Sequence, residues 1–374
     1  MREAIVHDWL VTYAGSERVL EQMLRCYPEA DLYAVCDFIP ASQRAFLQGH
    51  QVRTTSIQRL PLARKLYRAY LPCMPRAIGQ LDLSGYDLVI SSCHAVSKGV
   101  RTSPGQLHVC MCYTPPRYLW DMENEYLRSA GLSSGPAGWV ARGLLDRLRA
   151  WDLRASQGVD AFVAISNFVA GRIRKCYGRE STVIYPPVDT EFYTPGGERA
   201  DYYLTASRLV SYKRIDLIVQ TFRALGDRKL VVIGDGPEMN RIRRDAPPNV
   251  TVLGYQPSEV LVEYMRQARA FVFAAKEDFG IVLLEAQACG TPVIAFGGGG
   301  AVETVKDGTT GIFFPERTVE SLAAAVRRFE AMTFDSQACR ANAVRFAPER
   351  FRQEFSSFVE DQWQAFCKRK EALG

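Results

Sequence analysis

Two carboxylates stand eight residues apart around a glycine in Glu277-Asp-Phe-Gly-Ile-Val-Leu-Leu-Glu285, just after the strand-like run 270–275. A helix beginning near Gly280 puts Glu277 in the loop before it and Glu285 on its second turn. The amides of Phe279, Gly280, Ile281 and Val282 then lie between the two carboxylates. Unpaired N–H groups and a partial positive charge at a helix start suit a phosphate, while carboxylates, which only accept hydrogen bonds, suit the hydroxyls of a sugar or a ribose. Carboxylates near a helix start also occur merely to complement its dipole. Upstream, Ser207-Arg-Leu-Val-Ser-Tyr-Lys-Arg214 lies between a short apolar strand and an amphipathic helix carrying Ile215, Ile218, Val219 and Phe222. Arg208 through a bidentate fork and Lys213 as a point charge can both reach a diphosphate held at a helix start. The ligand suited to polyol acceptors wrapped around an anion site is a nucleotide sugar.

The order of these elements is specific. Ser-Arg-Leu, then Lys-Arg, then Gly234-Asp-Gly-Pro237, then Glu277 to Glu285, then Gly290-Thr-Pro-Val-Ile294 and the glycine run 297–300 with Glu303, resembles the donor half of the retaining glycosyltransferases of family 4. The first half agrees: Gly15-Ser-Glu-Arg-Val-Leu20 resembles the glycine-containing first loop of that family. Ile165-Ser-Asn-Phe168 and Val183-Ile-Tyr-Pro-Pro-Val-Asp189 resemble its run into the interdomain hinge. Ser91-Ser-Cys-His-Ala-Val-Ser-Lys98 and Tyr113-Thr-Pro-Pro-Arg-Tyr-Leu-Trp-Asp121 resemble the branch that adds mannose during O-antigen and exopolysaccharide assembly. The resemblance runs from the first strand to the last helix. It implies an α/β chain of the GT-B fold, with two facing Rossmann-like domains and a C-terminal helix crossing back to the first. It also implies a hexosyltransferase, with mannose from GDP-mannose as the foremost donor and a glycan or polyprenyl-diphosphate-linked acceptor.

On that basis the catalytic set is His94, Arg208, Lys213 and Glu277. The donor side adds Gly15, Gly234, Leu253, Tyr255, Phe279, Gly280, Ile281, Val282 and Glu285, with Glu277 on the transferred sugar and Glu285 on the ribose. His94 follows the strand 88–91, at the carboxyl end where α/β crevices bind ligands, and the resemblance puts it near the reacting carbon. Gly15 lacks a Cβ and so permits close approach of a ligand; the same position also reads as a plain helix start capped by Ser16. His7 and Asp8 end the first strand and face the same crevice, and are expected on the acceptor side about as readily as in the core. Tyr113, Arg117 and Trp120 belong to a Pro-, Arg- and aromatic-rich loop suited to stacking on sugar rings and holding a phosphate, or equally to a packed corner. His50 is read as structural.

Composition places the chain among ordinary globular proteins, with 47% hydrophobic and 23% charged residues in 374. The net charge of +5 comes from dispersed Lys and Arg, which does not imply a nucleic-acid partner. No stretch approaches the ~18 to 20 apolar residues of a membrane span, and the N-terminus runs straight into a strand pattern, so a cytoplasmic protein is expected. The stretch 59–71 sets Arg64, Lys65 and Arg68 beside Leu62, Leu66, Tyr67 and Tyr70, as in a helix lying on an anionic membrane surface or one simply packing one face inward. Such contact would hold the chain at the inner face of the cytoplasmic membrane. The ten cysteines are scattered through apolar runs, as for reduced, buried thiols. His108, Cys110 and Cys112 share one face of a strand, but no second cysteine pair stands at zinc spacing, which favours core packing.

Short β-branched or apolar runs alternate with amphipathic helices, the pattern of parallel, doubly wound sheets. Strands are expected at 4–7, 32–35, 51–55, 88–91, 107–112, 161–165 and 182–185, then at 202–205, 229–233, 250–253, 270–273, 293–295 and 311–314. Pro186 and Pro187 remove backbone donors and fix φ between the two sets. The domains are therefore drawn at 1–186 for the acceptor and 187–350 for the nucleotide sugar, with 351–374 as a helix returning to the first.

Retaining glycosidases place two carboxylates about 5 Å apart, one acting as nucleophile. Here both glutamates are better used as hydroxyl ligands, so front-face transfer is expected, with Arg208, Lys213 and helix-end amides stabilising the departing diphosphate. No Asp-x-Asp triplet suggests a metal site, and no cofactor is expected. Three alternatives stand beside this reading. A nicotinamide dehydrogenase is disfavoured because Gly234-Asp-Gly-Pro lacks the third glycine of the dinucleotide fingerprint. A non-catalytic binder of nucleotide sugars would carry the same binding motifs, and the intact set of His94, Arg208, Lys213 and Glu277 argues against it. A UDP-sugar-dependent glucosyl- or N-acetylglucosaminyltransferase is the runner-up within the enzyme class, because Leu253-Gly-Tyr255 does not identify its base.

Overall fold

A computed structural model describes residues 1–129 and 131–372. It separates into two compact units, Met1–Tyr185 completed by the segment that starts at Phe351, and Pro186–Arg350.

The first unit is built on β1 (Glu3–His7), β2 (Asp31–Ala34), β3 (Val52–Thr54), β4 (Leu88–Cys93), β5 (Leu107–Cys112), β6 (Ala161–Ala164) and β7 (Thr182–Val183). They form one parallel sheet in the order β3-β2-β1-β4-β5-β6-β7. β4 and β5 are buried along their whole length, as expected of central strands covered on both faces. The helix Gly15–Cys26 follows β1, and the long helix Pro348–Glu371 packs beside it: Arg352 donates to the Gln22 side chain at 2.6 Å, and Phe355 meets Tyr27 edge-on.

The second unit carries β8 (Tyr203–Ala206), β9 (Leu230–Ile233), β10 (Val250–Gly254), β11 (Phe271–Phe273), β12 (Val293–Phe296) and β13 (Gly311–Phe314). These too form one parallel sheet, in the order β10-β9-β8-β11-β12-β13. Ile215, Ile218, Val219 and Phe222 of the helix Ile215–Leu225 lie in its core with Leu230, Val232, Val272 and Ile294.

Each sheet reverses its winding once, between β1 and β4 in the first unit and between β8 and β11 in the second. In open α/β sheets ligands bind outside the carboxyl ends of the strands at such a reversal. The loops leaving β1 and β4 carry Asp8 and His94; those leaving β8 and β11 carry Arg208, Lys213 and Glu277. The stretch 59–71 is not the single helix the pattern suggests. It is broken into Ser56–Arg59, Ala63–Leu66 and Tyr67–Cys73. Pro61 interrupts it, and Leu62 takes a left-handed φ of 52°. Among the described residues no helix is long and apolar enough to cross a membrane.

Candidate functional site

In the second unit, the chain leaves β8 through Ser207-Arg208-Leu209, where Leu209 is buried and its N–H donates to the Asp235 carbonyl at 2.9 Å. A short turn, Ser211–Lys213, ends at Arg214 in the left-handed region (φ 55°), after which the helix Ile215–Leu225 departs. This reversal brings the Lys213 ammonium over the ring of Phe273, the last residue of β11, at 5.8 Å. There it pairs with the Glu277 carboxylate. Both side chains are largely withdrawn from solvent, 14% and 17% exposed. Lys213 and Glu277, placed by the sequence on the diphosphate and on the sugar, are thus brought into one ion pair that the sequence did not suggest, whereas Arg208 is exposed to solvent.

Two glycine-rich loops fix this geometry from either side. Glu277 makes a parallel bridge with Gly299, and its carbonyl accepts the Gly300 N–H at 2.8 Å. A Cβ at Gly299 would collide with the Glu277 carbonyl, and one at Gly300 with that of Asp278. Gly234 and Gly236 press equally closely on Ser207 and Leu209. These glycines serve close backbone approach. That role accounts for Gly234 without a ligand, and its N–H donates to the Gly254 carbonyl at 2.8 Å.

The helix after Glu277 is Ile281–Ala288, with Gly280 as its cap at φ 79°. A start there leaves the amides of Gly280, Ile281 and Val282 without acceptors inside the helix, while Phe279 turns inward against Phe346 at 6.0 Å. Glu285 lies on the second turn and is buried, 5% exposed. Leu253 is half-buried and Tyr255 exposed in the loop after β10.

In the first unit, Asp8 organises the loop after β4. Its buried carboxylate accepts four backbone N–H groups, from His94 (2.6 Å) and Ala95 (2.8 Å) on Oδ2 and from Val96 and Ser97 (both 2.7 Å) on Oδ1. His94 Nδ1 lies 3.0 Å from Asp8 Oδ2, its side chain is 28% exposed, and Trp9 stands edge-on to its ring at 4.6 Å. Burial pushes the Asp8 carboxyl up, but His94 and the loop amides overcome it and hold its pKa well below the usual carboxylate range. Burial likewise works against the His94 cation, and the charge of Asp8 reverses that, leaving its pKa raised.

Several expected acceptor ligands sit elsewhere. Asp8 has both carboxylate oxygens committed to the loop amides. His7 is fully buried, with Nδ1 bonded to Ser92 Oγ at 2.9 Å and Nε2 facing Glu17 Oε1 at 3.3 Å. Tyr113 is buried too, bonding Ser92 Oγ at 2.8 Å and donating to the Ser16 carbonyl at 3.1 Å. Trp120 donates its indole N–H to Asp152 at 2.9 Å. Asp152 also accepts from Tyr177 and pairs with the buried Lys98. Arg172 ties Thr114 and Asp121 together. The loop 113–121 is thus a packed corner in which Arg117 stays half-buried at the start of the helix Arg117–Trp120. Gly15 opens its helix, but the cap is Ala14 rather than Ser16: Glu17 reaches back to the Ala14 N–H at 3.0 Å. A Cβ at Gly15 would meet open space.

Glu17, Ser92, Trp9 and Lys98 were not singled out from sequence. Glu17 alone left a signal, an acidic residue three positions past a helix cap. His50 is bonded to the Leu47 carbonyl. His108 bonds Ser91 inside the sheet, and burial pushes its pKa down to about 4. Among the described residues no group of three or more His, Cys, Asp or Glu is placed to hold a metal ion.

Known proteins share this architecture. The solved structure of Anabaena HepE in complex with UDP and glucose aligns with a TM-score of 0.66 at 17% identity, covering 96% of this chain and 99% of that one. Sucrose-phosphate synthase from Thermosynechococcus elongatus aligns at 0.69 and 17% identity, covering 98% and 100%. In sequence, the GDP-mannose-dependent alpha-(1-6)-phosphatidylinositol monomannoside mannosyltransferase of Mycobacterium tuberculosis is 30% identical over 225 residues, 50% of this chain and 56% of that protein. The D-inositol 3-phosphate glycosyltransferase of Nocardiopsis dassonvillei is 30% identical over 236 residues, 54% of each. The chain spans about half the length of the curated relatives it matches. The model of Glycosyltransferase Family 4 matches residues 13–192, and that of Glycosyl transferases group 1 matches 194–346. With the two parallel sheets, these matches show a glycosyltransferase of the GT-B fold whose first part is a Glycosyltransferase Family 4 domain and whose second part is a Glycosyl transferases group 1 domain.

Proposed function

We propose that the chain transfers a hexose, with retention of configuration, from a nucleotide sugar to a glycan or polyprenyl-diphosphate-linked acceptor. The donor we favour is GDP-mannose, and the setting is cytoplasmic assembly of a cell-surface polysaccharide such as O-antigen or exopolysaccharide. The observation that carries the reading is the meeting of Lys213 and Glu277 at the winding reversal of the second sheet, beside an open helix start. Mannosyltransferases that use GDP-mannose among the relatives at about 30% identity support the donor.

In this reading the diphosphate lies at the amides of Gly280, Ile281 and Val282, met by Lys213 and by Arg208 swinging in from solvent. Glu277 takes hydroxyls of the transferred sugar and Glu285 those of the ribose. As the bond from the sugar's anomeric carbon to the diphosphate oxygen breaks, charge grows on that oxygen. Two cations and the helix start stabilise it in place of a metal ion. The acceptor hydroxyl attacks from the same face, and its proton leaves on the departing diphosphate. His94, held by Asp8, is the first unit's candidate catalytic group. Arg117 is its candidate acceptor-phosphate ligand.

The test is a panel of GDP-mannose, UDP-glucose and UDP-N-acetylglucosamine, scored for protection against thermal unfolding and for release of the sugar. Protection and release with GDP-mannose are expected. A response to a UDP-sugar alone would replace the donor. Protection without release, even with candidate acceptors, would make the chain a binding protein.

A further inference from the structure

We propose that one face of the first unit is a docking surface for an anionic lipid bilayer, anchored by Trp139. Two segments build this face. The first is the broken stretch 56–78 between β3 and β4; the second is the helix Gly135–Gln157 between β5 and β6. Both connections step the same way across the sheet, so right-handed crossovers put them on the same side. Shared packing agrees: Tyr67, Met74 and Ile78 belong to one apolar cluster, against which Leu71 of the first segment and Trp151 of the second are packed.

The outer surface of both segments is unlike an ordinary solvated face. The helix buries Leu148, Asp152 and Ser156, spaced by four, against the unit. Its opposite side presents Trp139, 75% exposed, and Val140, 65% exposed, with Arg147 and Arg154 along the same stripe. In the first segment Leu62 is 67% exposed and Leu66 is exposed, interleaved with exposed Arg64, Lys65 and Arg68. Between Asp37 and Asp82 the chain has no carboxylate, yet it carries Arg44, Arg53, Arg59, Arg64, Lys65, Arg68 and Arg76. Only Arg44 and Arg53 of these have a recorded ion-pair partner among the described residues.

Exposed tryptophan and aliphatic side chains interleaved with cations are what a bilayer interface accepts: rings and alkyl groups enter the headgroup region while Lys and Arg meet anionic lipid. A second copy of the chain is a poorer occupant, because a self-complementary contact would press this carboxylate-free tract against itself. Nucleic acid would use the cations but gives no reason to expose Trp139, Val140, Leu62 and Leu66 together.

The test is co-sedimentation of the full chain with vesicles of phosphatidylcholine, alone or mixed with phosphatidylglycerol. Binding is expected only with the mixed vesicles and should fall as salt rises. Replacing Arg64, Lys65 and Arg68 together by Ala should weaken binding on the order of a hundredfold, about fivefold per cation. Trp139→Ala with Val140→Ser should weaken it about tenfold. The charge-keeping variant Arg64→Lys with Arg68→Lys should bind as the unaltered chain does, and all these variants should unfold at the same temperature as the parent. If a replacement destabilises the chain, Trp139 fluorescence, isolated by difference against Trp139→Phe, must still shift to the blue with mixed vesicles. Absence of binding to mixed vesicles, or equal binding by the parent and both weakened variants, overturns the proposal. So does self-association abolished by Trp139→Ala, or binding of single-stranded RNA without binding of vesicles.

Discussion

Lys213 and Glu277 form an ion pair at the carboxyl ends of β8 and β11, so the cation suited to a diphosphate is held by the carboxylate suited to the sugar. If each acted alone, Glu277→Gln would leave affinity for a bare nucleoside diphosphate nearly unchanged. The pair alters that expectation. An arriving diphosphate must take Lys213 from Glu277 and leaves the carboxylate facing like charge unless sugar hydroxyls compensate it. Glu277→Gln should therefore tighten the nucleoside diphosphate several-fold while lowering turnover of the intact donor. Calorimetry on both ligands reads the contrast, and unchanged or weaker diphosphate binding would reject it.

Lys213→Ala removes the partner from a carboxylate that is only 17% exposed and from the departing charge as well. Turnover should fall on the order of a hundredfold, with a smaller rise in donor KM. Arg208→Ala should act in the same direction but less severely, since Arg208 starts in solvent. Steady-state kinetics in which kcat is untouched by either change would remove these cations from the reaction.

Asp8→Asn deletes a charge that four amides and a histidine share. A loss of about 3 kcal/mol or more is expected in chemical denaturation, because hydrogen bonds to a buried charge contribute about 1.5 to 3 kcal/mol each. The pH dependence has a definite sign. His94 has a raised folded pKa, so its contribution is complete below the ordinary histidine value of 6.5 and is lost as pH rises through the folded value. The Asp8 contribution is present above the ordinary value of 3.8 and disappears as pH falls toward its depressed folded value. In Asp8→Asn the His94 resonance should titrate lower than in the parent; an unmoved titration would separate the two groups.

Gly299→Ala places a Cβ against the Glu277 carbonyl at a left-handed φ of 70°. It should cost about 1 to 3 kcal/mol and impair turnover through Glu277. Gly15→Ala faces open space at an ordinary φ, so its stability should be unchanged within about 0.5 kcal/mol. Any loss of donor affinity there would then come from a ligand that approaches the backbone. A Gly15→Ala protein with unchanged affinity would take this glycine out of the donor site.

If side chains and amides alone meet the leaving charge, activity should persist in EDTA without added Mg²⁺ or Mn²⁺. Complete loss on chelation, restored by either ion, would require a metal at the diphosphate.

Much of this was legible because it is local. Each strand is a short apolar or β-branched run closed by a turn, so 107–112 and 311–314 coincide with β5 and β13, while other ends move by a residue or two. Glu277 and Glu285 were legible for the same reason: a glycine and eight residues define a helix start. What sequence did not reveal is long-range. The amides held by Asp8 are 86 to 89 residues away, and Trp120 finds Asp152 across 32. Adjacency in the chain gives no hint that these side chains answer to the interior rather than to a ligand. The stretch 59–71 failed otherwise, since its apolar spacing was helical but Pro61 and a left-handed Leu62 forbade one continuous helix.

The helix Pro348–Glu371 has a consequence for synthesis. The second unit is one unbroken stretch of chain, whereas the first has a gap of 165 residues, from Pro186 to Arg350, in the order of its parts. A ribosome therefore delivers β1 to β7 first, yet Tyr27 and Gln22 must wait for Phe355 and Arg352, which emerge only after the whole second unit. Domains made first usually complete first. In this chain the later one can close while the earlier still exposes apolar surface on the helix Gly15–Cys26, and nascent-chain chaperones would meet it there.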